Sequence, residues 1–337
     1  MEYRQLGQSD VKVSAITLGT WAVGGWMWGG TDEKDALDAI AAAVDAGITS
    51  IDTAPIYGFG RSEEIVGKAV AGRRDKVQLL TKYVLRWDDA AGELSFETTG
   101  PDGKPAKVYR NARPASIIAE CEQSLRRLRT DVIDLYQCHW RDHTTPVEET
   151  MTAIDKLLKD GKIRAAGVSN FTAEDIAAAR KVVPLASDQP PYSMLRRDAE
   201  KEVLPYCRGN NIGVVVYSPL QLGILSGQVT MDTRYTGDDL RRRSPWYTPD
   251  NRRKVIGFID GTLRPIAEAH DATVAQVVVN WTIHRPGVTA ALVGARKARH
   301  ARENAGAAAF KLTDAETARI DAALDSLDLD VHEPLPK

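Results

Sequence analysis

The sequence predicts an α/β fold of one architecture: a closed (β/α)8 TIM barrel with an N-terminal β-hairpin and long loops at its C-terminal face. Three observations predict it. Short apolar runs alternate eight times with amphipathic stretches along 337 residues, a length that suits such a barrel. The runs are continuously apolar, as in parallel strands covered by helices. No shift in composition marks a boundary, so residues 1–337 are read as a single barrel domain. An open doubly wound sheet, built from the same alternation, is the runner-up.

The elements follow in order. EYRQL, the turn GQSD and VKVS read as the opening hairpin. AITLG then precedes DALDAIAAAVDAG, where Leu37, Ile40, Ala41 and Val44 recur at helical spacing and Gly47 ends the run. ITSID precedes SEEIVGKAV. KVQLLT precedes a polar insert and then PASIIAECEQSLRRL, where Ile117, Ile118, Cys121, Leu125 and Leu128 share one face. DVIDLYQCH precedes PVEETMTAIDKLLKDG, IRAAGVSN precedes TAEDIAAARKVV, and LASDQ precedes AEKEVLPYCRGN. IGVVVYSPL leads through a long loop to the helical stretches RKVIGFIDGTLRPIAEAH and VAQVVVNWTIH. TAALVGA and ARHARENAGAA complete the last unit.

Composition narrows the function classes. Hydrophobic content of 43% and charged content of 27% fit a soluble globular protein. A formal net charge of -2 gives no general attraction for nucleic acid or an anionic membrane. The run Arg241, Arg242, Arg243 is read as a solvated loop face. No stretch approaches the roughly 20 apolar residues of a membrane span, and MEYRQLGQSD has no apolar signal region. Cys121, Cys138 and Cys207 are an odd number without metal-ligand spacing, so free thiols in a reducing, cytoplasmic setting are expected. Nothing in the sequence sets the oligomeric state.

Asp52, Lys82 and His139 each sit where an apolar strand run ends, and Tyr57 lies in the loop after the second. In a (β/α)8 barrel such positions share the C-terminal mouth, so all four side chains are expected to converge. Singly, each has a plain structural use: a turn, a core residue with a wet tip, a solvated amine, a satisfied core histidine. Together they carry chemistry. A tyrosine has a free pKa of about 10. An ammonium beside it favours the phenolate, and a carboxylate holds that ammonium. The expected result is a phenol brought down far enough to protonate a carbonyl oxygen near neutrality.

The chain resembles the aldo-keto reductases from about Tyr3 to Ala308. The resemblance runs through LGTWAVGG, GITSIDTAPIYGFGRSEEIVGKAV, LLTKY, SLRRLRTDVIDLYQCHW, LLKDGKIRAAGVSNF, VVVYSPLQLGILSG and LVGARKARHAREN. GARK and the HW pair are similar to bacterial stress-response and inositol-linked members; potassium-channel β-subunits are more distant. The resemblance implies a catalytic tetrad of Asp52, Tyr57, Lys82 and His139. Tyr57 would be the general acid–base, Lys82 with Asp52 would lower its pKa, and His139 would orient a small carbonyl substrate. It also implies NADP(H). Ser169, Asn170 and Gln189 would hold the carboxamide and Tyr217 would stack on the nicotinamide. The backbone of Ser218, Pro219, Leu220, Gln221, Leu222 and Gly223, with Gly227, would cradle the pyrophosphate. Gly19, Thr20 and Trp21 would line the opposite wall. Gly294 opens the GARK turn, in which Arg296 and Lys297 would face the 2′-phosphate. Glu303 and Asn304 would contact adenine. His300 stands where many relatives have arginine or glutamine, which weakens the charge there.

Other features keep alternative readings open. Gly24, Gly25, Gly29 and Gly30 lack any G-x-G-x-x-G or G-K-[ST] pattern, so a mobile loop beside the pocket is expected. His139 and His143 stand four apart without the glutamate of a zincin helix, and no metal is expected. Trp21, Trp26, Trp28, Trp87 and Trp140 are candidates for an aromatic pocket, and Trp21, Trp28, Trp87 and Trp140, with Tyr57 and His139, for substrate contact. Residues 86–113 read as a β-hairpin flap, and residues 227–251 as a lid. The functional reading is NADPH-dependent reduction of aldehydes or ketones. The alternative is a cofactor-bound regulatory subunit or redox sensor with slow turnover.

Overall fold

A computed structural model describes residues 1–331. Its strands are β1 (Tyr3–Gln5), β2 (Lys12–Ser14), β3 (Ile16–Gly19), β4 (Ser50–Asp52), β5 (Gln78–Tyr83), β6 (Leu85–Arg86), β7 (Glu93–Thr99), β8 (Pro105–Arg110), β9 (Ile133–Cys138), β10 (Ile163–Ser169), β11 (Leu185–Gln189), β12 (Gly213–Val216) and β13 (Ala290–Gly294). The closed barrel runs β10-β11-β12-β13-β3-β4-β5-β9, and every pairing around it is parallel. The expected barrel and its opening hairpin are both present. The open-sheet alternative is excluded by the β5–β9 and β10–β9 pairings that complete the ring.

Apolar burial is arranged in three tiers. Leu6, Val11 and Val13 of the hairpin region meet Leu80, Leu135, Ala165, Ala186, Val215, Ala290 and Leu292 inside the barrel and close its floor. A larger cluster fills the space between barrel and helices. A third, of Ala54, Ile56, Leu85 and Val108 with six aromatic side chains packed on it, lies over the mouth. Strand residues alternate in and out, so Leu80 and Leu135 at the floor place Lys82 and Gln137 inward one step higher. This is why the lower interior is apolar and the upper interior is polar.

Several elements differ in detail from expectation. The helix Glu33–Asp45 buries Ala36, Ala39, Ile40 and Ala43 most fully, while Leu37 and Val44 pack at the edge. Small alanines let this helix lie close to its neighbours. The stretch RKVIGFIDGTLRPIAEAH is broken by a π-helical turn, Ile259–Leu263. The insert at 86–113 is a three-stranded sheet, because Leu85–Arg86 pairs with β8 beside the hairpin of β7 and β8. A further helix, Asp314–Asp325, lies beyond the eight units; its capping box of Thr313 and Glu316 marks its start. Arg242 and Arg243 are exposed, but the Arg241 guanidinium packs over Tyr235 and Trp28, at 3.9 and 5.0 Å from the ring centroids.

Candidate active site

The mouth gathers polar side chains from several strands around one carboxylate. Asp52, 1% exposed, ends β4. Its Oδ1 accepts from Lys82 Nζ at 2.5 Å. Its Oδ2 accepts from Gln189 Nε2 at 2.9 Å and from Gln137 Nε2 at 3.2 Å. Three donors from three strands thus satisfy a charge that would be costly to bury alone. Lys82 Nζ also donates to Thr53 O at 2.9 Å and reaches Tyr57 Oη at 3.4 Å. His139 stands edge-on to Tyr57, with ring centroids 5.9 Å apart. The three strand-end residues and Tyr57 therefore converge.

Tyr57 is set by its loop. Gly24 and Gly58 cross so closely that a Cβ on Gly24 would lie 2.7 Å from Tyr57 O, and one on Gly58 2.5 Å from Gly24 O. Two glycines in register allow this contact, so Gly24 is packed against the Tyr57 loop, whereas Gly29 and Gly30 are exposed. Trp21 stacks on Tyr57 at 5.9 Å, and Trp28 meets Trp21 edge-on at 5.7 Å. Thr20 spends its hydroxyl on Asp52 O at 2.8 Å, so its side chain braces β4.

The electrostatics correct one expectation. Burial, and then the negative charge of Asp52, hold the Tyr57 phenol well above its ordinary value. Lys82 does not reverse this, because its ammonium is paired with Asp52 and only grazes the phenol oxygen. Burial lowers the Lys82 ammonium against the opposing pull of Asp52 and Glu63. Burial, with Lys82 and Arg110 nearby, pushes His139 well below its usual range. Near neutrality the site therefore holds a neutral phenol and a neutral imidazole.

Beside this cluster, Ser169, Asn170 and Tyr217 form one shelf. Tyr217 Oη donates to Asn170 Oδ1 at 2.9 Å. Asn170 Nδ2 donates to Ser169 Oγ and to His139 O, both at 3.0 Å. Ser169 Oγ donates to Gln189 O at 2.7 Å. After Tyr217 the chain enters a left-handed run: Ser218, Gln221, Leu222 and Gly223 all have positive φ. Such backbone is strained by about 1–3 kcal/mol per residue for non-glycine types and clusters at ligand sites. The Gln221 side chain points away, accepting from Ser193 Oγ at 2.7 Å, so only its backbone is offered. Gly227 ends this turn at φ +75°.

At the far end, Gly294 pairs with Gly19 across β13 and β3. Arg296 Nη1 donates to Trp28 O at 3.0 Å and Gly30 O at 3.4 Å. Lys297 lies 3.6 Å from Asp35, with both side chains about half exposed. Burial, then Arg299, pushes His300 down. Asn304 Nδ2 donates to Gly294 O at 3.2 Å. Glu303 offers its carbonyl to Gln276 Nε2 at 2.9 Å. A strap from the 227–251 loop ties back to the glycine-rich segment. Asp238 accepts from the Met27 N–H at 2.8 Å and from the Gly29 N–H at 3.0 Å.

Other tryptophans divide by task. Trp26 donates to Thr98 Oγ1 at 3.2 Å and stacks on Phe96, fastening the flap. Trp87 packs on Phe59 at 5.4 Å, in the base of the flap. Trp140 lies under the Arg110 guanidinium at 5.2 Å, near His139. The indole N–H groups of Trp21 and Trp28 are buried without an acceptor among the described residues. An oxygen-rich ligand suits two such donors. Sequence reasoning missed Gln137, Arg110 and Asp238. Gln137 had a signal, a polar residue at an inward position of an apolar strand. Among the described residues no three His, Cys, Asp or Glu side chains are grouped to hold a metal ion, and no helix is long and apolar enough to cross a membrane.

Comparison with known proteins gives a consistent result. The model of the Aldo/keto reductase family matches residues 15–325. The chain is 43% identical over 299 residues to the aldo-keto reductase YhdN of Bacillus subtilis, covering 88% of this chain and 86% of the relative. It is 37% identical over 317 residues to the NADH-specific methylglyoxal reductase of Escherichia coli, covering 92% and 94%. The structure of the glycerol dehydrogenase AKR11B4 from Gluconobacter oxydans superposes with a TM-score of 0.87 at 41% identity, covering 98% of both chains.

Proposed function

Because the chain belongs to the aldo/keto reductase family, we propose that it reversibly reduces aldehydes or ketones to alcohols, with Tyr57 as the proton donor and NADP(H) as the preferred cofactor. The observation that carries this reading is the line Asp52–Lys82–Tyr57, with Lys82 Nζ at 2.5 Å from the carboxylate and 3.4 Å from the phenol oxygen. A nicotinamide cofactor, when bound, supplies the hydride. The residues present suit one: an aromatic face at Tyr217, amide and hydroxyl groups at Ser169, Asn170 and Gln189, a strained backbone run at 218–223, and unpartnered indole donors at Trp21 and Trp28.

Each protein group then has a task. Tyr57 delivers its Oη proton to the carbonyl oxygen. Lys82, held by Asp52, stabilises the negative charge left on the phenol oxygen. Neutral His139 supports the substrate oxygen without competing for a cofactor's charge. Trp21, Trp28 and Trp140 wall the substrate and exclude water. A phenol held high favours reduction near neutrality, and the reverse reaction gains as pH rises.

Arg296 and Lys297 support NADPH over NADH, since a guanidinium suits a phosphate. The preference is modest, because His300 is held neutral and Arg296 already binds two loop carbonyls. One relative is named as NADH-specific, so the preference is tested with both cofactors. The alternative, a cofactor-bound regulatory subunit or redox sensor with slow turnover, is separated from this reading by steady-state turnover and cofactor release: fast turnover on a simple aldehyde removes it. The test is a carbonyl panel that includes an α-oxoaldehyde and a triose, run with NADPH and NADH and scored by kcat/KM. Failure to oxidise either cofactor with every carbonyl would sink the proposal.

A further inference from the structure

The strand that carries Lys82 leaves the barrel through a forced bend. Val84, two residues on, has φ +98°, a conformation that a β-branched residue adopts only when its surroundings impose it. Val84 N–H donates to Glu120 Oε2 at 2.8 Å. Asn111 N–H donates to Val84 O at 2.9 Å, and His139 N–H donates to Tyr83 O at 3.1 Å. The bend is thus where the Lys82 strand, the start of the His139 loop and the return of the flap are tied together.

Glu120 approaches this junction from behind, on the helix Pro114–Leu128, and is 1% exposed. None of the steps above uses it. Its carboxyl is within electrostatic reach of Tyr83 on β5, Tyr136 and Cys138 on β9, Arg86 on β6, Glu63 on the helix Arg61–Ala69, and Arg127 and Cys121 on its own helix. Its Oε1 has no partner among the described residues. A leucine would fill the space without leaving an unpartnered acceptor, which is unfavourable when buried. What glutamate adds is an acceptor for the Val84 N–H.

We propose that Glu120 is a positioning residue for carbonyl reduction: by holding the Val84 bend it sets where Lys82 and His139 stand beneath the flap. The inference rests on the reductase reading above. Glu120→Ala should lower kcat by about 100-fold, the scale expected when a catalytic group shifts by roughly 1 Å. The Kd for NADPH, followed by tryptophan fluorescence, should change by less than about threefold, because the adenosine groove is distant. Glu120→Gln keeps an acceptor oxygen and should recover most of the turnover. Val84→Gly removes the strain, because glycine takes positive φ readily. In that background Glu120→Ala should cost no more than about tenfold, the two sites being coupled.

Equal losses in both backgrounds would overturn the inference. So would a Glu120→Ala protein with normal kcat, or a Glu120→Gln protein with turnover as low as that expected of alanine. If Glu120→Ala does not fold, the glutamine variant and the Val84→Gly pair still decide it. A wild-type protein that reduces no carbonyl defeats the reductase reading, and this inference with it. A fully active wild type with an unimpaired alanine variant defeats this inference alone.

Discussion

The two ends of the groove are built differently. At the tetrad end, Asp52 and Lys82 are almost wholly buried, and each of their polar atoms is held by short bonds from β4, β5, β9 and β11. At the GARK end, Lys297 and Asp35 stand about half exposed and 3.6 Å apart, and Arg296 rests on two loop carbonyls. Buried charges in low dielectric couple strongly and resist change, whereas exposed charges are screened and replaceable. On the proposed reading, chemistry is locked into the barrel while the choice of nucleotide is written on its rim.

Four experiments break or sharpen this contrast. Tyr57→Phe should lower kcat by about 100- to 10,000-fold, the usual contribution of a positioned acid, with little change in cofactor Kd. Retained turnover would place the acid elsewhere and remove the tetrad from its side of the comparison. Lys82→Met should cost about 3–5 kcal/mol of stability, because it strands a buried carboxylate. Denaturant unfolding measures it, and a loss below about 1 kcal/mol would mean that Gln137 and Gln189 suffice for Asp52.

Arg296→Ala should weaken NADPH by about 10- to 150-fold, from the roughly 1.5–3 kcal/mol of a hydrogen bond to a charged group. NADH should change little. Equal loss for both cofactors would show that Arg296 serves to hold Trp28 and Gly30 in place. The last test is pH-linked. Burial raises the Glu120 carboxyl to about 8, so the folded state keeps its proton where the unfolded state has lost it. Stability from this group is present below the ordinary glutamate value and is lost as pH climbs toward 8. Glu120→Gln should therefore gain relative stability with rising pH, by up to a few kcal/mol between pH 5 and about 9. A pH-independent difference in Tm would contradict it.

The barrel was legible because its strands are apolar on both faces and each is followed by a helical period. Asp52, Lys82 and His139 were legible because each ends such a run, and Tyr57 because it follows the second run in its loop. The helix Asp314–Asp325 and Gln137 went unread although each carried a signal: the capping box of Thr313 and Glu316, and a polar residue two positions past Leu135 on an apolar strand. Two things were not legible. Arg110 enters the site only because β8 folds back over the mouth. The state of the Tyr57 phenol depends on how completely Asp52 neutralises Lys82, a balance of distances that residue identities do not contain.

The strap has a consequence of its own. Asp238 holds two backbone amides on a loop 211 and 209 residues earlier in the chain. While it holds them, the protons of Met27 and Gly29 are shielded; when it lets go, they trade with solvent. Deuterium uptake at these two positions would then keep time for release of the strap, with no substrate present and no turnover to count.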